Sequence, residues 1–490
     1  MGNHTEQSTL LCEDNIHHIF LIPPKLKDVL SSAACELDYP FVAIQLPMMN
    51  EIHCCESAIE CACKLYWPKT RLLVQVLDDS TEEQARTLIE QCVHKWADRG
   101  IQINIYRRQN RNGFKAGNLT NGMLHIGQAE YVAIFDVDFL PAQDYLLKTL
   151  PVLIQDPNVA FVQARWTFTN CKETLLTRMQ EITLNFHHKC EQEVRFRASL
   201  FFTFNGTGGV WRTSAIQQIG GWDTETLVED LDLSLRAYVK GWRSVYMHDV
   251  ECLNELPPTV SAYLSQQYRW TCGPIQVAKN MVTTICQSKH ISWYKKTYCL
   301  WYLFRSCIYL VNMISLAVIM PISIWLSQAY IYSLICICLA ISTNFCYCLF
   351  TFNEFHLMPL YALFTHALSL NNACATISGL FNFASTKQWI VTPKFGYGSK
   401  TVCLKTTLSI SKQHDNVFEW TYKQIRRKLR FYRFFNRNFW MAVYLLLISY
   451  MAFEKRAYFT GTYMVCTSIM YFLLASGCIG RQNEESKRIL

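Results

Sequence analysis

The sequence carries little charge and lacks the signals that mark a secreted or lipidated protein. Of its 490 residues, 17% are charged and 51% are hydrophobic, and the mean hydropathy of +0.06 is high for a soluble protein. The first apolar run, Ile19–Pro24, is too short to cross a membrane, so we expect no transmembrane helix within residues 1–38. Position 6 is Glu6, whereas an N-myristoylation signal needs Ser or Thr there.

Zinc-type cysteine spacing is also missing, although the chain contains 22 cysteines. Cys61 and Cys63 have no second pair at the spacing of a structural zinc site. A disulfide framework is typical of small secreted proteins, and this chain is neither small nor headed by a signal peptide. Several cysteines fall inside apolar runs, where a thiol behaves as a small hydrophobic group. We therefore expect free thiols that face a reducing compartment.

A large excess of charge of one sign is absent as well. The chain has 46 Lys and Arg against 38 Asp and Glu, which gives a net charge of +8. The basic residues gather beside apolar segments, so anionic lipid headgroups are the expected partners and nucleic acid is not. The apolar excess itself begins after Trp301, which predicts a soluble domain followed by a membrane domain.

Short β-rich runs alternate with helical patterns from Pro40 onwards. The runs are FVAIQL, RLLVQVL, IQINIY and YVAIFDVDF. This alternation predicts a parallel sheet with crossover helices on its faces. In such sheets, ligands bind at the carboxyl ends of the strands.

Acidic pairs follow two of these strands at that edge. Asp78 and Asp79 follow RLLVQVL, and Asp136 and Asp138 follow YVAIF. An Asp-x-Asp sequence that leaves a strand turns two carboxylates towards one face, which suits a hard divalent ion held jointly with substrate phosphates. Lys115, in a glycine-bearing loop between the pairs, supplies a point charge for phosphate. Acids after strands are also common turn residues, but three such elements in order favour a ligand site.

A helix is predicted from Glu173 to Val194, with His188 and Glu191 three residues apart on one face. The pair is compatible with a metal site. Charged helical faces are usually exposed, however, so a solvated or interfacial face is the preferred interpretation.

The stretch Thr226–Trp270 combines acids with an aromatic and cationic cluster. Asp230 lies among acids at the predicted N-terminus of a helix, where negative charge is favoured. Gln266, Arg269 and Trp270 offer an amide, a cation and a flat ring, which suit a diphosphate beside a sugar. A capped helix followed by a surface salt-bridge cluster is the alternative for this stretch alone.

Four apolar spans are predicted in the C-terminal part, and they are about Leu303–Leu326, Ala329–Phe350, Asn438–Phe453 and Ala457–Ile479. A further apolar segment, about 355–383, contains histidines and asparagines that are costly in lipid. It is therefore expected to be interfacial or buried against protein.

The loop between the two pairs of spans is strongly basic. Residues 387–437 carry twelve Lys or Arg against Asp415 and Glu419. Because positive loops stay in the cytosol, we expect the soluble domain, this loop and the tail to lie on the cytosolic side.

The motifs DDS, RNGFKAGN, FDVDF, VQARW, FNGTGGVWR, VEDLDL, ELPPTVSAYLSQQYRW and WIVTPK resemble, in order, those of the processive family 2 glycosyltransferases. They are most similar to the plant cellulose-synthase-like mannan synthases, with the xyloglucan-backbone glucan synthases next. The match runs from about Val42 to Gly396. The resemblance implies an α/β GT-A fold, a nucleotide-sugar-binding mixed sheet with flanking helices, plus a C-terminal α-helical transmembrane domain. Relatives usually begin with a transmembrane helix, which residues 1–38 are not expected to form.

The activity implied by the resemblance is that of an inverting hexosyltransferase. It would elongate a β-1,4-linked (gluco)mannan backbone from GDP-mannose, with GDP-glucose as a second donor, in a multi-pass Golgi membrane protein of cell-wall polysaccharide synthesis. A divalent cation, Mn²⁺ or Mg²⁺, would be the cofactor. The partners would be the nucleotide-sugar, the polysaccharide acceptor and membrane lipid, and both a homo-oligomer and a partner synthase are compatible with this reading.

The resemblance also gives roles to individual residues. Asp230 would be the general base. The other residues would bind substrate, with Asp78 and Asp79 at the nucleotide, Lys115 at the diphosphate, Asp136 and Asp138 at the nucleotide and the metal, and Gln266, Arg269 and Trp270 at the diphosphate and acceptor sugar. Trp389–Lys394 would form a gating loop.

These inferences divide the chain into a series of segments. They are a leader (1–38), a GT-A catalytic domain (39–283), an interfacial helix (284–302), two transmembrane helices (303–350), an interfacial helix with gating-like and basic cytosolic loops (351–437), two further transmembrane helices (438–480) and a polar tail (481–490). Two other functions remain open. One is a β-1,4-glucan synthase of the xyloglucan-backbone type that uses UDP-glucose, and the other is a non-catalytic membrane scaffold that partners an active synthase.

Overall fold

The computed structural model of the chain describes residues 38–326, 345, 356–381 and 436–481. The chain forms two compact units. The sheet unit comprises the chain up to Thr167, His187–Asn254 and Asn280–Tyr302, and the helical unit comprises Phe168–Phe186, Glu255–Lys279 and the chain from Leu303 onwards. Apart from Asp38 and Phe345, the leader and the predicted span at 329–350 lie outside the described residues, as do the gating-like loop and most of the basic loop.

The sheet unit is built on one eight-stranded sheet. Its strands are β1 (Val42–Met48), β2 (Leu72–Asp78), β3 (Gln102–Arg107), β4 (Tyr131–Ile134), β5 (Leu140–Pro141), β6 (Val159–Phe168), β7 (Gly209–Arg212) and β8 (Arg243–Asn254). The strand order is β3-β2-β1-β4-β7-β6-β8-β5.

The sheet is parallel in one half and contains antiparallel pairs in the other. β3, β2, β1 and β4 pair in parallel, whereas β7 pairs antiparallel with both β4 and β6, and β5 pairs antiparallel with β8. The alternating pattern therefore predicts the first half correctly, and an all-parallel sheet is wrong. The mixed sheet with flanking helices that the resemblance implies is confirmed.

The strands β1, β2 and β4 are mostly apolar and buried, as expected where helices cover both faces of a parallel sheet. All seven residues of β2 are buried. Two buried glutamines lie at the centre. Gln45 Nε2 donates to Gln75 Oε1 over 3.0 Å, and Gln75 Nε2 donates to the Gly122 carbonyl over 3.1 Å. These bonds remove part of the cost of burying two amides.

The helices before residue 260 connect and flank these strands. They are α1 (Cys55–Cys63), α2 (Glu83–Ala97), α3 (Phe114–Met123), α4 (Tyr145–Gln155), α5 (Leu175–Phe186), α6 (Gln192–Arg197), α7 (Thr213–Ile219) and α8 (Glu229–Val239). A π-helical turn, His187–Glu191, joins α5 to α6.

The remaining helices are mostly apolar, and their lengths range from 6 to 28 residues. They are α9 (Val260–Gln287), α10 (Trp293–Phe304), α11 (Ile308–Ile314), α12 (Met320–Trp325), α13 (Met358–Phe381), α14 (Arg437–Glu454) and α15 (Tyr458–Ser476). Within the ranges that the structure describes, two helical stretches have the length and apolar composition to cross a membrane, Trp293–Trp325 and Tyr458–Ser476.

The core of the helical unit gathers residues from α5, α9, α12, α13, α14 and α15, among them Met179, Tyr263 and Phe364. Asn371 and Asn372 of α13 are buried, and Asn371 Nδ2 donates to the carbonyl of Leu264 over 3.2 Å. These costly side chains are thus buried against protein, one of the two outcomes expected for this segment.

The prediction of a solvated or interfacial face is wrong for His188. Its side chain is buried in the sheet unit, with its ring 5.1 Å from the Trp166 ring. The Tyr246 hydroxyl donates to the His188 carbonyl over 2.8 Å. Burial occurs here because the π-helical turn shifts the helical register, so spacing alone misjudges which residues face inward.

Candidate active site

Lys115 lies at the start of α3, at the carboxyl edge of the sheet. Its ammonium nitrogen is 2.5 Å from Oδ1 of Asp136 and donates to the carbonyl oxygen of Gly206 over 3.0 Å. Only 11% of the Lys115 side chain is exposed, against 33% for Asp136. The cation is thus held inside the protein while one carboxylate partner still faces solvent.

The charge of Lys115 is fixed by its acidic surroundings. Burial by itself lowers the pKa of Lys115, but Asp136, Glu229 and Asp230 together raise that pKa above its ordinary value. Lys115 is therefore a permanent cation in the physiological range. Such a cation suits an anionic ligand at this edge of the sheet.

Asp136 follows β4 and is anchored through its backbone. Its N–H donates to the Thr207 hydroxyl oxygen over 2.8 Å, which ties the end of β4 to the loop before β7. Asp138 lies two residues further on, in the same turn. The two acids predicted for a divalent cation are therefore carried by one short segment next to Lys115.

Asp230 reaches the same place from α8. A Cβ atom built on Gly206 would lie 3.1 Å from Oδ2 of Asp230 and 3.6 Å from Nζ of Lys115. Gly206 also has a φ of +83°, which favours glycine. The glycine therefore lets the carboxylate and the ammonium group approach the loop from two sides.

Asp79 forms a salt bridge with Arg108, which follows the neighbouring strand β3. Arg108 Nε donates to Oδ1 over 3.0 Å, and Arg108 Nη2 lies 2.5 Å from Oδ2. This forked pairing is the strong, geometrically specific form of an arginine–carboxylate contact. Arg111 lies further away, at 3.9 Å from Oδ2.

Asp78 is buried, and both of its carboxylate oxygens are engaged. Arg107 Nε donates to Oδ2 over 2.7 Å, and the Ser80 N–H donates to Oδ1 over 2.9 Å. Asp78 and Arg107 face each other in the register of β2 and β3. The predicted contacts of Asp78 and Asp79 with a nucleotide thus concern carboxylates that arginines already bind.

Gln266, Arg269 and Trp270 lie on α9, within the helical unit, and all three are partly exposed. Spacings of three and four residues put them on one face of the helix. The structure therefore brings Lys115, Asp136 and Asp230 together in the sheet unit and gathers these three side chains separately on one helical face.

The acids at β4 fit a divalent cation that shares its oxygens with a substrate. Among the residues described, no group of three or more His, Cys, Asp or Glu is arranged to hold a metal ion. Asp136 offers a partly exposed carboxylate next to a cation that can neutralise phosphate. Mg²⁺ and Mn²⁺ are commonly bound by one or two carboxylates with phosphate oxygens completing the coordination. The site therefore fits a cation that arrives with a diphosphate.

Arg107, Arg108 and Gln163 are site residues that the sequence reasoning did not single out. Arg107 and Arg108 stand at the end of β3 as Asp78 and Asp79 stand at the end of β2, so adjacent parallel strands end in opposite charges. That signal is readable in the sequence. Gln163 on β6 bonds the backbone of Asn205, Thr207 and Gly208 beside the site. These contacts depend on antiparallel pairing between β6 and β7, which the alternating pattern does not predict.

A family model and several individual proteins of known name match this chain. The model of the family described as "Glycosyl transferase family group 2" matches residues 131–352. A rice (Oryza sativa subsp. japonica) protein, probable glucomannan 4-beta-mannosyltransferase 11, is 40% identical over 377 residues, which cover 74% of this chain and 65% of the relative. The chain thus spans slightly less than two thirds of the length of this relative.

An Arabidopsis thaliana protein, glucomannan 4-beta-mannosyltransferase 9, is 38% identical over 461 residues, which cover 90% of this chain and 81% of the relative. Among solved structures, a mannosyltransferase from Pyrobaculum calidifontis in complex with GDP-Man and Mn²⁺ is 16% identical, has a TM-score of 0.46 and covers 76% of this chain and 94% of its own. On the extent of the plant matches, the chain belongs to the glucomannan 4-beta-mannosyltransferase family.

Proposed function

We propose that the protein elongates a β-1,4-linked (gluco)mannan backbone by inverting transfer of mannose from GDP-mannose, with GDP-glucose as a second donor. The observation that carries the proposal is the approach of Lys115 and Asp230 to Gly206, with Asp136 paired to Lys115, which combines a cation for a diphosphate with a carboxylate for a proton. The names of the plant relatives support mannose as the transferred sugar and glucomannan as the product.

Asp230 is the proposed general base. An inverting transfer needs one carboxylate to accept the proton of the acceptor hydroxyl while the oxygen attacks the anomeric carbon and the bond to the diphosphate breaks. Asp230 lies in the first turn of α8 and its Oδ1 accepts from the Leu231 N–H over 2.8 Å, which leaves Oδ2 directed at the Gly206 side. A second carboxylate nucleophile is not required.

The leaving diphosphate is stabilised by cations. Lys115 supplies a point charge for the phosphates. Asp136 and Asp138 would hold a Mn²⁺ or Mg²⁺ ion, which would add positive charge where the diphosphate departs. The family resemblance further implies that Arg269 and Gln266 would contact the diphosphate and that Trp270 would stack on the acceptor sugar.

The nucleotide is assigned to the edge that carries Asp78 and Asp79. Their carboxylates are bound by Arg107 and Arg108, so we expect the two arginines to take part in nucleotide binding and the aspartates to orient them. Charge-assisted pairs of this kind fix side-chain geometry as well as adding energy.

We also propose that the C-terminal part is embedded in a Golgi membrane, with the catalytic domain at residues 39–283 on the cytosolic side. The two apolar helical stretches and the basic loop at 387–437 support this arrangement. Protease added outside sealed vesicles should cut the basic loop. Full protection of both that loop and the catalytic domain would overturn the orientation.

A donor assay tests the activity. Membranes containing the protein are incubated with labelled GDP-mannose, GDP-glucose or UDP-glucose and Mn²⁺ or Mg²⁺, beside the variants Asp230→Asn and Asp249→Asn. Asp249 is an exposed acid on β8 and serves as the control. We expect polymer from GDP-mannose, normal activity of Asp249→Asn, and a loss of about 10² to 10⁴ in Asp230→Asn.

The outcomes separate the candidate functions. Polymer from UDP-glucose alone would support a glucan synthase, and no product from any donor would support a non-catalytic scaffold. Wild-type activity of Asp230→Asn would contradict the assignment of the base.

A further inference from the structure

The segment Thr203–Gly208, called the Gly206 segment below, is bonded at three backbone positions by the buried side chain of Gln163 on β6. Gln163 Oε1 accepts from the Asn205 N–H over 2.9 Å. Gln163 Nε2 donates to the carbonyl oxygens of Thr207 and Gly208 over 3.1 Å and 2.9 Å. A single amide thus bonds the segment on both sides of Gly206.

The orientation of this amide is set by its partners. The Asn205 N–H can only donate, and the two carbonyl oxygens can only accept, so exchanging the oxygen and nitrogen of Gln163 would break every contact. Gln163 has no exposed surface. Loss of the amide would therefore remove the acceptor of the Asn205 N–H and one donor from each of the two carbonyls.

The other face of the same segment forms the proposed catalytic site. The Gly206 carbonyl accepts from Lys115, the Thr207 hydroxyl accepts from the Asp136 N–H, and Gly206 lies next to Oδ2 of Asp230. The position of the segment therefore sets the distance between the base and the cation. Gln163 touches none of these three charged groups in the contacts described.

Other groups also hold the segment. Gln192 Nε2 donates to the Thr203 carbonyl over 3.1 Å and to Asn205 Oδ1 over 2.9 Å. The Ser234 hydroxyl accepts from the Phe204 N–H over 2.9 Å. The carbonyls after Gly206, which Gln163 binds, also accept from Trp166 Nε1 at Thr207 over 3.4 Å and from the Ala164 N–H at Gly208 over 3.1 Å. Removing the Gln163 amide should consequently loosen the segment around Gly206 without unfolding it.

We propose that Gln163 is a positioning residue for the transfer reaction, because its amide fixes the Gly206 segment and thereby the alignment of Asp230 with Lys115. This inference rests on the proposed function for its catalytic consequence. Lys115 keeps its contact with Asp136, so the donor should still bind. A small misplacement of the reacting groups is enough to reduce the rate by about 10- to 100-fold.

The test compares the full-length protein with Gln163→Met, Gln163→Glu and the control Gln45→Met. Gln45 is also a fully buried strand glutamine in this sheet, but its amide bonds Gln75 and not the Gly206 segment. We expect Gln163→Met to lower kcat about 10- to 100-fold with KM for GDP-mannose changing less than about threefold. Gln45→Met should retain kcat within about twofold.

The pH dependence of Gln163→Glu activity separates the positioning role from a general loss of stability. It keeps the acceptor for the Asn205 N–H and donates to a carbonyl only when its carboxyl is protonated, a form that burial favours. Its activity relative to the wild type should therefore rise as the pH falls, whereas that of Gln163→Met should not. Parallel pH profiles for the two variants would overturn the proposal, as would wild-type kcat in Gln163→Met.

Hydrogen–deuterium exchange provides a test that does not depend on activity. Peptides covering residues 203–209 should exchange faster in Gln163→Met than in the wild type or in Gln45→Met, because the Asn205 N–H loses its acceptor. Unchanged exchange would overturn the positioning role even in an inactive protein. An inactive wild type with the expected exchange would instead contradict the proposed transferase function and leave Gln163 as the residue that positions the segment.

Discussion

The ammonium nitrogen of Lys115 lies 2.5 Å from a carboxylate oxygen of Asp136, at the point where α3 and β4 meet the Gly206 segment. Asp136 and Asp138 belong to the segment assigned to the donor and its metal, and Asp230 belongs to the segment assigned to the acceptor. Lys115 therefore lies close both to the acids assigned to the donor and to the proposed general base, Asp230. It can neutralise the donor diphosphate while it remains in the field of the base.

Replacing Lys115 should weaken donor binding, and a neutral replacement should weaken it more than a charged one. Lys115→Met is expected to raise the apparent dissociation constant of GDP about 10- to 100-fold, because a charge-assisted contact with phosphate contributes about 1.5–3 kcal/mol. Lys115→Arg keeps the charge and should recover part of the affinity. Titration of the detergent-solubilised protein with GDP would measure both, and equal affinity of Lys115→Met and the wild type would contradict the assignment.

Chelation of divalent cations should abolish transfer. EDTA is expected to remove activity and Mn²⁺ or Mg²⁺ to restore it, since Asp136 and Asp138 offer oxygen ligands and the diphosphate completes the coordination. Asp136→Asn and Asp138→Asn should raise the Mn²⁺ concentration that gives half-maximal activity. Full activity in EDTA would contradict the role assigned to the divalent cation.

The sequence predicts those parts of the site that depend on a residue's own strand, and not those that depend on contacts between distant parts of the chain. Asp78, Asp79, Asp136 and Asp138 could be placed at one sheet edge because they directly follow strands whose parallel order is set by the alternating helices. The approach of Asp230 to Lys115 could not, since it depends on a turn at Gly206 that brings together residues far apart in the chain.

The sequence pattern does not predict the antiparallel half of the sheet, because strand direction there also depends on contacts between distant parts of the chain. β6 is long and apolar, but β7 is only Gly209–Arg212, and its direction is fixed by pairing with β4 and β6. Strand propensity carries no information on partner or direction. His188 was misplaced because a π-helical turn changes the register of its helix.

The Arg108–Asp79 pair should contribute strongly to stability because both side chains are largely buried. Arg108 is 12% exposed and Asp79 is 6% exposed. Arg108→Met would leave a buried carboxylate without its forked partner and is expected to lower the free energy of unfolding by about 3 kcal/mol. Lys95→Met, which breaks a longer pair between exposed side chains, should cost less than about 1 kcal/mol. Urea unfolding monitored by circular dichroism would measure the free energy of unfolding of both variants. Equal losses in Arg108→Met and Lys95→Met would contradict the prediction.

His188 should make the protein less stable in mild acid. Burial, followed by the charges of His187 and Arg165, holds the pKa of His188 well below 6.5. As the pH falls below about 6.5, the unfolded chain binds a proton on this ring that the folded chain does not, so unfolding is favoured by up to about 1.4 kcal/mol per pH unit.

The variant His188→Phe removes this proton uptake while keeping a ring beside Trp166. Its free energy of unfolding should therefore depend less steeply on pH between about 6.5 and 5 than that of the wild type, and the difference between the two should stay constant above about pH 7.5. Urea unfolding at a series of pH values would give both slopes. Parallel slopes below pH 6.5 would mean that folded His188 accepts a proton despite its burial against Trp166 and Tyr246.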